Sequence, residues 1–502
     1  MPPIDSPAII VARYLRSNGY EEVSRAFLDE THGLTSGQTL DAFLKESGLP
    51  PDAGSVSPGD LTLEQVLREK MMYDLTLNLE KASVDDGLKE WKDKPAQWKS
   101  TEISLTKPSN LLQVAVESID LPGTPSAHPF ILASSADRRL YVISTDFILP
   151  EQSTRFEVVR SFTGLQDSPI LSFLVVARRY LVCTGMSGMT VLYDVKRGQI
   201  LSTRQDHTKY VVKVVSWTRP DGQVWIATAG WDKKVNVYLC HLTSEGISMD
   251  EPFASIQLTS DPESLLFFEH PDDKDLYLLL SRRDSTFIYY YGLPESLVTL
   301  LDCRPATVPL TARQNLAPLA NAWTAFTPSA MAICPHDSTL LAIATSSTPH
   351  MKLLIVRLLF PRAETPGVDP PPTTPSASTS MDANATPAVL QAREALAVQD
   401  RETAAIYVHS STMAPQTPYS TPAVAWRPDG SGVWVNSEDG VVRGIEASSG
   451  RVVKTLEAHV PGSKVRCLWA GALGEGEKKR EYIISGGFDH RLIASEPSVS
   501  ST

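Results

Sequence analysis

From about residue 97 to residue 497 the chain repeats one short theme. A run of β-branched and aromatic residues is followed by a tight turn of Gly, Asp, Pro or Ser and then by a second such run. This repeat constrains the fold more than any other feature, because strands so short bury their faces only against further copies of themselves. The clearest unit runs from His207 to Leu239, where VVKVVSW, a Pro-Asp-Gly-Gln turn, VWIATAG, a Trp-Asp-Lys-Lys turn and VNVYL follow in order. Related units lie at 129–145, 180–195, 275–291, 338–359, 432–448 and 481–496, which makes seven. Strand–turn–strand units at a spacing of about 40–50 residues imply a mainly β fold, a seven-bladed β-propeller. The last unit ends at its third strand. Residues 102–106 (EISLT) are therefore expected to supply the fourth strand from the other end of the domain, sealing the ring and removing an open edge.

Composition narrows the functional classes. The chain has 502 residues with 58 acidic and 46 basic side chains, a formal charge of −12, which argues against direct nucleic-acid binding. No run of about 18 apolar residues predicts a membrane helix, and the opening MPPIDSPAII has neither the basic nor the apolar region of a secretory signal. The cysteines Cys183, Cys240, Cys303, Cys334 and Cys467 are scattered without a CxxC pair, so reduced thiols and a cytoplasmic or nuclear location are expected. GxSxG, P-loop and HExxH patterns are absent, and the ten histidines show no metal-ligand spacing. The expectation is a protein that is not an enzyme and takes no cofactor or metal.

The first hundred residues have a different period. Ser6 and Pro7 read as an N-cap and first helical residue, Ile10, Tyr14 and Leu15 share a helix face, and Asn18-Gly19 ends that helix. A second helix starts near Tyr20, carries Val23, Ala26 and Phe27 on one face, and stops at Thr31-His32-Gly33. Two helices this short do not bury their apolar faces alone. Residues 11–23, with Phe27 and Glu30, resemble the LisH (Lis-homology) motif in an aromatic-Leu pair (Tyr14, Leu15), a Gly-aromatic pair (Gly19, Tyr20), and a Phe and a Glu at fixed offsets. The resemblance implies homodimerisation through Tyr14, Leu15, Gly19, Tyr20, Val23 and Phe27. A helical extension follows over 36–96, with a capping box at Thr62–Gln65 and an i+4 stripe of Leu63, Leu67, Met71, Leu75 and Leu79.

The strand units in turn resemble WD repeats, in divergent form. Asp206-His207 and Ala458-His459 stand where that family has Gly-His, and Tyr193-Asp194 stands where it has Trp-Asp. The resemblance assigns His207, Thr228, Asp232 and Tyr238 to its structural hydrogen-bond tetrad. The turn between the second and third strands holds Arg138-Arg139, Lys233-Lys234, Arg282-Arg283 and His490-Arg491, with Trp231 in the same turn. In WD propellers these turns share one face, so the resemblance predicts a basic ring suited to protein partners with acidic or phosphorylated peptides.

Residues 361–402 interrupt the propeller between the fifth and sixth units. They are rich in Pro, Thr, Ser and Ala and poor in large apolar residues, and a disordered insertion is expected, with 389–399 as a transient helix or docking peptide. The expected organisation is a LisH module (1–35), the helical extension (36–96), blades one to five (97–360), the insertion (361–402) and blades six and seven (403–497). Combining a LisH module with a WD-type propeller implies a scaffold of corepressor, ubiquitin-ligase or splicing type. The segment YLRSNGYEE also resembles lissencephaly-type dynein regulators, whose Gly-His and Trp-Asp pairs are intact where these are not. A motor or microtubule regulator is the second reading, and a propeller enzyme with acid or metal groups in the pore the third.

Overall fold

The described residues of the computed structural model are Leu15, Tyr20, Glu22, Val23 and Ala26 near the N-terminus and most of 88–498. Residues 93–96, 124–128, 146–155, 245, 273, 294–305, 320–325, 361–386 and 475–478 fall outside them, as do the side chains of 387–395. The chain divides into two units, Met1–Gly87 and Leu88–Thr502. In the first, Leu15, Glu22, Val23 and Ala26 are helical, and the Tyr20 amide donates to the Leu15 carbonyl at 2.8 Å.

The second unit is a ring of seven antiparallel sheets. Within each blade the strands are lettered a to d from the channel outward. Blades one to seven begin with a strands Leu111–Ser118, Ile170–Val176, Val211–Thr218, Pro262–Glu269, Thr327–Ile333, Val424–Trp426 and Val465–Leu473. Blade three carries a short fifth strand, Ala306–Thr307, parallel to its d strand Ala254–Gln257.

Strands b and c lie mid-blade and pack against both neighbouring blades, so they read as nearly continuous apolar runs rather than alternating ones. Tyr180–Gly185 and Thr190–Asp194 are buried at every residue. The d strands are half-solvated and alternate, as in Gln199–Arg204. The core is consequently not central. It consists of seven apolar clusters, one between each pair of adjacent blades. Each fully buried Leu, Ile or Val in them contributes roughly 1.5–3 kcal/mol. Cys183, Cys240, Cys334 and Cys467 are buried in these clusters as free thiols.

The ring closes through the N-terminal strand, in a register that differs from the expected one. Trp98–Ile103 pairs antiparallel with the c strand of blade seven, Leu492–Pro497, from Trp98↔Pro497 to Ile103↔Leu492. The strand begins earlier than 102–106 because it is an outer strand whose buried residue is Ile103, while its polar residues face solvent. Its start is fixed by Trp98, which packs edge-on against Trp434 of blade six at 5.2 Å.

Within the insertion a helix covers residues 389–399, the segment expected as a transient helix or docking peptide, and extends beyond it at both ends. Residues 387–404 form a helix, α1 (Pro387–Ala404), running up to the d strand of blade five, Ile406–Pro415. Pro387 opens it with a pre-set φ, and Arg401 sits in its last turn. Glu402 Oε1 accepts from the Asn315 amide at 2.7 Å, and Gln399 Nε2 donates to the Pro318 carbonyl at 2.9 Å. These bonds to blade four anchor the C-terminal half of the helix. Residues 361–386 lie outside the described residues.

Candidate functional site

Because every blade has the same up-and-down strand order, all b–c turns and all d–a connections emerge at one end of the ring. Six of the b–c turns contain a left-handed residue. In blades two and six it is Gly188 and Gly440, in blades one, three and seven it is Arg138, Lys233 and His490 at the equivalent place, with φ of 67°, 64° and 64°, and in blade four it stands one place earlier, at Asp284, with φ of 59°. A left-handed non-glycine residue costs roughly 1–2 kcal/mol. At three of these turns a preceding carboxylate offsets that cost: Asp137 accepts from the Ser135 hydroxyl, Asp232 from the Lys234 amide and Asp489 from the Arg491 amide.

Two of these aspartates belong to buried relays. His207 Nδ1 lies 3.0 Å from Asp232 Oδ1, and its Nε2 lies 2.9 Å from Thr228 Oγ1. The Tyr238 hydroxyl, expected to complete this set, is hydrogen-bonded to Thr228 and also donates to Asp206 Oδ2 at 3.0 Å; that carboxylate is held bidentately by Arg204. Asn236 Nδ2 approaches His207 Nε2 at 3.3 Å. In blade seven, His459 Nδ1 is 3.0 Å from Asp489 Oδ2 and its Nε2 is 2.9 Å from Ser485 Oγ. Asp489 stands in the b–c turn of blade seven. Its side chain is 4% exposed because the His459 ring and the Val460 amide close over it.

Ser485, His459 and Asp489 share the connectivity of a hydrolytic triad, but Ser485 is 1% exposed and the His459 side chain 0%, so no substrate reaches the hydroxyl. The relay ties a d–a connection to a b–c turn. Burial opposes ionisation of Asp489, yet the Val460 amide and the His459 ring hold its carboxyl below the usual range. Burial keeps His459 below its ordinary value despite the nearby carboxylate. At the opposite end of blade two, Asp194 does similar work. Its bidentate bond to Arg179, at 3.0 and 2.7 Å, holds its carboxyl low while it caps the Lys196 and Arg197 amides.

The channel is built by an irregularity that the a strands share. Six of them have a register shift near their first residues, at Leu111/Gln113, Ile170/Ser172, Val211/Lys213, Pro262/Ser264, Pro328/Ala330 and Val465/Cys467. A bulge leaves one residue unpaired and re-aims it. The skipped residues Leu112, Leu171, Val212, Glu263, Ser329 and Arg466 all line one central cavity of about 610 Å³. Lys213 lines it as well, and Trp231, Arg283 and Tyr419 lie at its b–c end. Glu263 is held by Arg283 at 2.7 Å, and Arg283 lies 5.3 Å from the centre of the Trp231 ring, which leans on Tyr210 at 5.4 Å.

The expected basic ring therefore divides into two groups. Arg139 pairs with Asp137 at 3.0 Å, Arg283 with Glu263, and Arg491 with Glu102 at 2.6 Å, while Arg282 folds onto Tyr289, donating to its hydroxyl at 2.6 Å. Arg138, Lys233, Lys234 and His490 remain exposed, and among the described residues none of them has an ion pair. The sequence reading did not single out the channel residues Lys213, Glu263 and Arg466, the relay partner Ser485, or Tyr419. A one-residue bulge leaves no mark in a period-two pattern, and Ser485 was legible only as the counterpart of Thr228. Of the expected self-association residues, Tyr20 and Val23 are 57% and 53% exposed, Leu15 is half-buried, and Tyr14, Gly19 and Phe27 lie outside the described residues.

Among the described residues no group of three His, Cys, Asp or Glu side chains is placed to hold a metal, and no helix is long and apolar enough to cross a membrane. No curated protein matches the chain. Residues 106–469, well over half of its length and nearly all of the ring, match the family described as UCP007778, beta-propeller domain. With seven four-stranded sheets closed around a channel and this match across them, the chain belongs to the UCP007778 beta-propeller domain family.

Proposed function

We propose that this protein is a non-enzymatic scaffold, a WD-type propeller that receives protein partners at the b–c end of the ring and self-associates through a LisH module. The observation that carries this reading is where the exposed apolar side chains lie. Among the described residues of the ring, every large apolar side chain that is exposed within a turn belongs to this end: Tyr210, Leu319, Tyr419, Val460 and Phe488. Tyr419 is 86% exposed and borders the channel. Exposed aromatics beside unpaired Lys233 and Lys234 suit a peptide with an apolar anchor and acidic or phosphorylated flanks. In the helical module the exposure of Tyr20 and Val23 leaves apolar surface for a second copy to cover.

The experiment is affinity purification of tagged full-length protein with mass spectrometry, comparing wild type with Lys233→Glu/Lys234→Glu and with Tyr419→Ala. Loss of the same partners in both variants, at unchanged melting temperature, supports the reading. Identical partner sets in all three refute it. Recovery of histone deacetylase, ubiquitin-ligase or spliceosome subunits selects the type of complex, cytoplasmic or nuclear, and recovery of dynein subunits selects the motor-regulator reading.

A further inference from the structure

The channel holds two cations that the ring itself leaves unsatisfied. Lys213 enters from blade three and Arg466 from blade seven, so they approach from opposite walls. Neither side chain has a hydrogen bond or ion pair among the described residues. The carboxylate that shares the channel wall, Glu263, is already held by Arg283 at 2.7 and 2.8 Å. A third group points the same way: Thr421 Oγ1, on the connection that enters blade six, is buried in the lining with no hydrogen-bond partner.

We propose that the channel is a binding site for a small molecule bearing a phosphate or polyphosphate group, held between Lys213 and Arg466 with the Thr421 hydroxyl as an additional donor. A tetrahedral oxyanion accepts from several directions at once, which suits donors converging from blades three, six and seven. The cavity of about 610 Å³ falls within the range of small-ligand sites, roughly 300–1,000 Å³, and is narrower than a folded partner needs. Burial lowers the proton affinity of both cations, and each also feels charge across the channel: Arg466 further disfavours the charged form of Lys213, while Glu263 favours that of Arg466. Lys213 and Arg466 thus repel each other across the channel, and an anion held between them relieves that repulsion. This site is separate from the exposed rim lysines and does not depend on the scaffold reading.

The test uses the full-length chain in phosphate-free, low-salt buffer. Pyrophosphate, inositol hexakisphosphate and succinate are titrated by calorimetry, and melting temperature is followed in parallel. Lys213→Met and Arg466→Met are each expected to weaken phosphate binding by about tenfold or more. Their ligand-free melting temperatures should equal or exceed that of wild type, a result that a merely structural role would not give. Lys233→Glu/Lys234→Glu should bind as wild type. Binding of both phosphate probes shows that the inorganic group suffices, and binding of inositol hexakisphosphate alone shows that an organic polyphosphate is required; either supports the proposal. No binding of either probe, equal binding by the double variant Lys213→Met/Arg466→Met, or succinate binding as tightly as phosphate would overturn it.

Discussion

Trp91 stands edge-on against Trp434, their ring centroids 5.1 Å apart and their planes at 71°. Its other surroundings are shaped by missing side chains. A Cβ on Gly432 would lie 2.5 Å from Trp91 Cε3, and one on Gly444 2.5 Å from Trp91 Cη2. The Arg427 guanidinium covers the ring at 4.2 Å and is itself locked to Glu481 at 2.6 Å, while the Trp91 amide donates to Glu446 Oε1 at 3.1 Å. Blade six thus carries a slot cut to the shape of one indole. Trp91→Ala is expected to cost about 3–5 kcal/mol and Gly444→Ala about 1–3 kcal/mol. Because both act on one contact, a denaturant-melt double-mutant cycle should show the pair costing less than the sum. An additive result would contradict the slot.

The two histidine relays predict unequal damage from conservative changes. Asp489→Asn keeps the shape but replaces a charged acceptor oxygen with an NH2 donor and so strands a donor of the His459 ring or the Val460 amide. It should destabilise by roughly 1–3 kcal/mol. Tyr238→Phe removes a hydroxyl shared by Asp206, which retains Arg204, and Thr228, which retains His207, and should cost at most about 1 kcal/mol. Chemical denaturation of the two variants measures the contrast, and equal losses would remove the distinction between relay and flank.

Acid should weaken the ring before the carboxylates titrate. His459 and His409 are both held below their ordinary value of 6.5, His459 by its burial and His409, on an exposed strand position, by partial desolvation and the nearby Lys352. As pH falls through about 6.5 the unfolded chain binds protons that the folded chain refuses, so stability declines down to the folded-state pKa of each histidine. The contributions of Asp232 and Asp489, whose carboxyls are held low, disappear only as pH drops below about 4. Melting temperature between pH 8 and 5 reads the first window. His409→Gln should flatten the slope there, and an unchanged slope would sink the assignment to that residue.

Closure by a distant strand predicts a sharp truncation boundary. A fragment 88–502 keeps Trp91 and the pairing from Trp98 to Ile103 and should melt cooperatively. A fragment 104–502 leaves the edge of Leu492–Pro497 open and should aggregate. Light scattering and calorimetry on the two fragments decide this, and a monomeric, equally stable 104–502 would show that the seal is dispensable.

Self-association is the separate prediction of the N-terminal module. The full chain should scatter light as a dimer, and Phe27→Asp, a change on the apolar face that the sequence pattern gives the second helix, should give a monomer. A monomeric wild type would refute the LisH reading.

The blades were legible because strands b and c must be apolar on both faces, and VWIATAG or YLVCTG announces that directly. His207, Thr228 and Asp232 were legible by resemblance and lie within bonding distance of one another. Less visible were features that depend on what faces what. Glu263 and Arg466 read as solvent positions of ordinary strands until a bulge turns them into the channel. The role of Gly444 cannot be read locally, since the residue filling its place is Trp91, hundreds of positions earlier. The basic pairs lie at the b–c turns, with Lys234 and Arg282 already in the flanking strands, but Glu102, Glu263 and Asp137 occupy three of those side chains, and these partners come from other strands or from the turn itself.

The pairing of Trp98 with Pro497 also sets the order of events at the ribosome. The closing strand is among the first parts of the ring to be made, and its partner is the last. At roughly 5–20 residues per second, the strand waits on the order of 20–80 s for its mate. During that interval blade one has no neighbour on one side, and Ile131, Tyr141 and Ile143 of its cluster are open to solvent. Nascent chains of this protein should therefore be clients of chaperones that bind apolar strands during translation, and release should follow synthesis of the final blade.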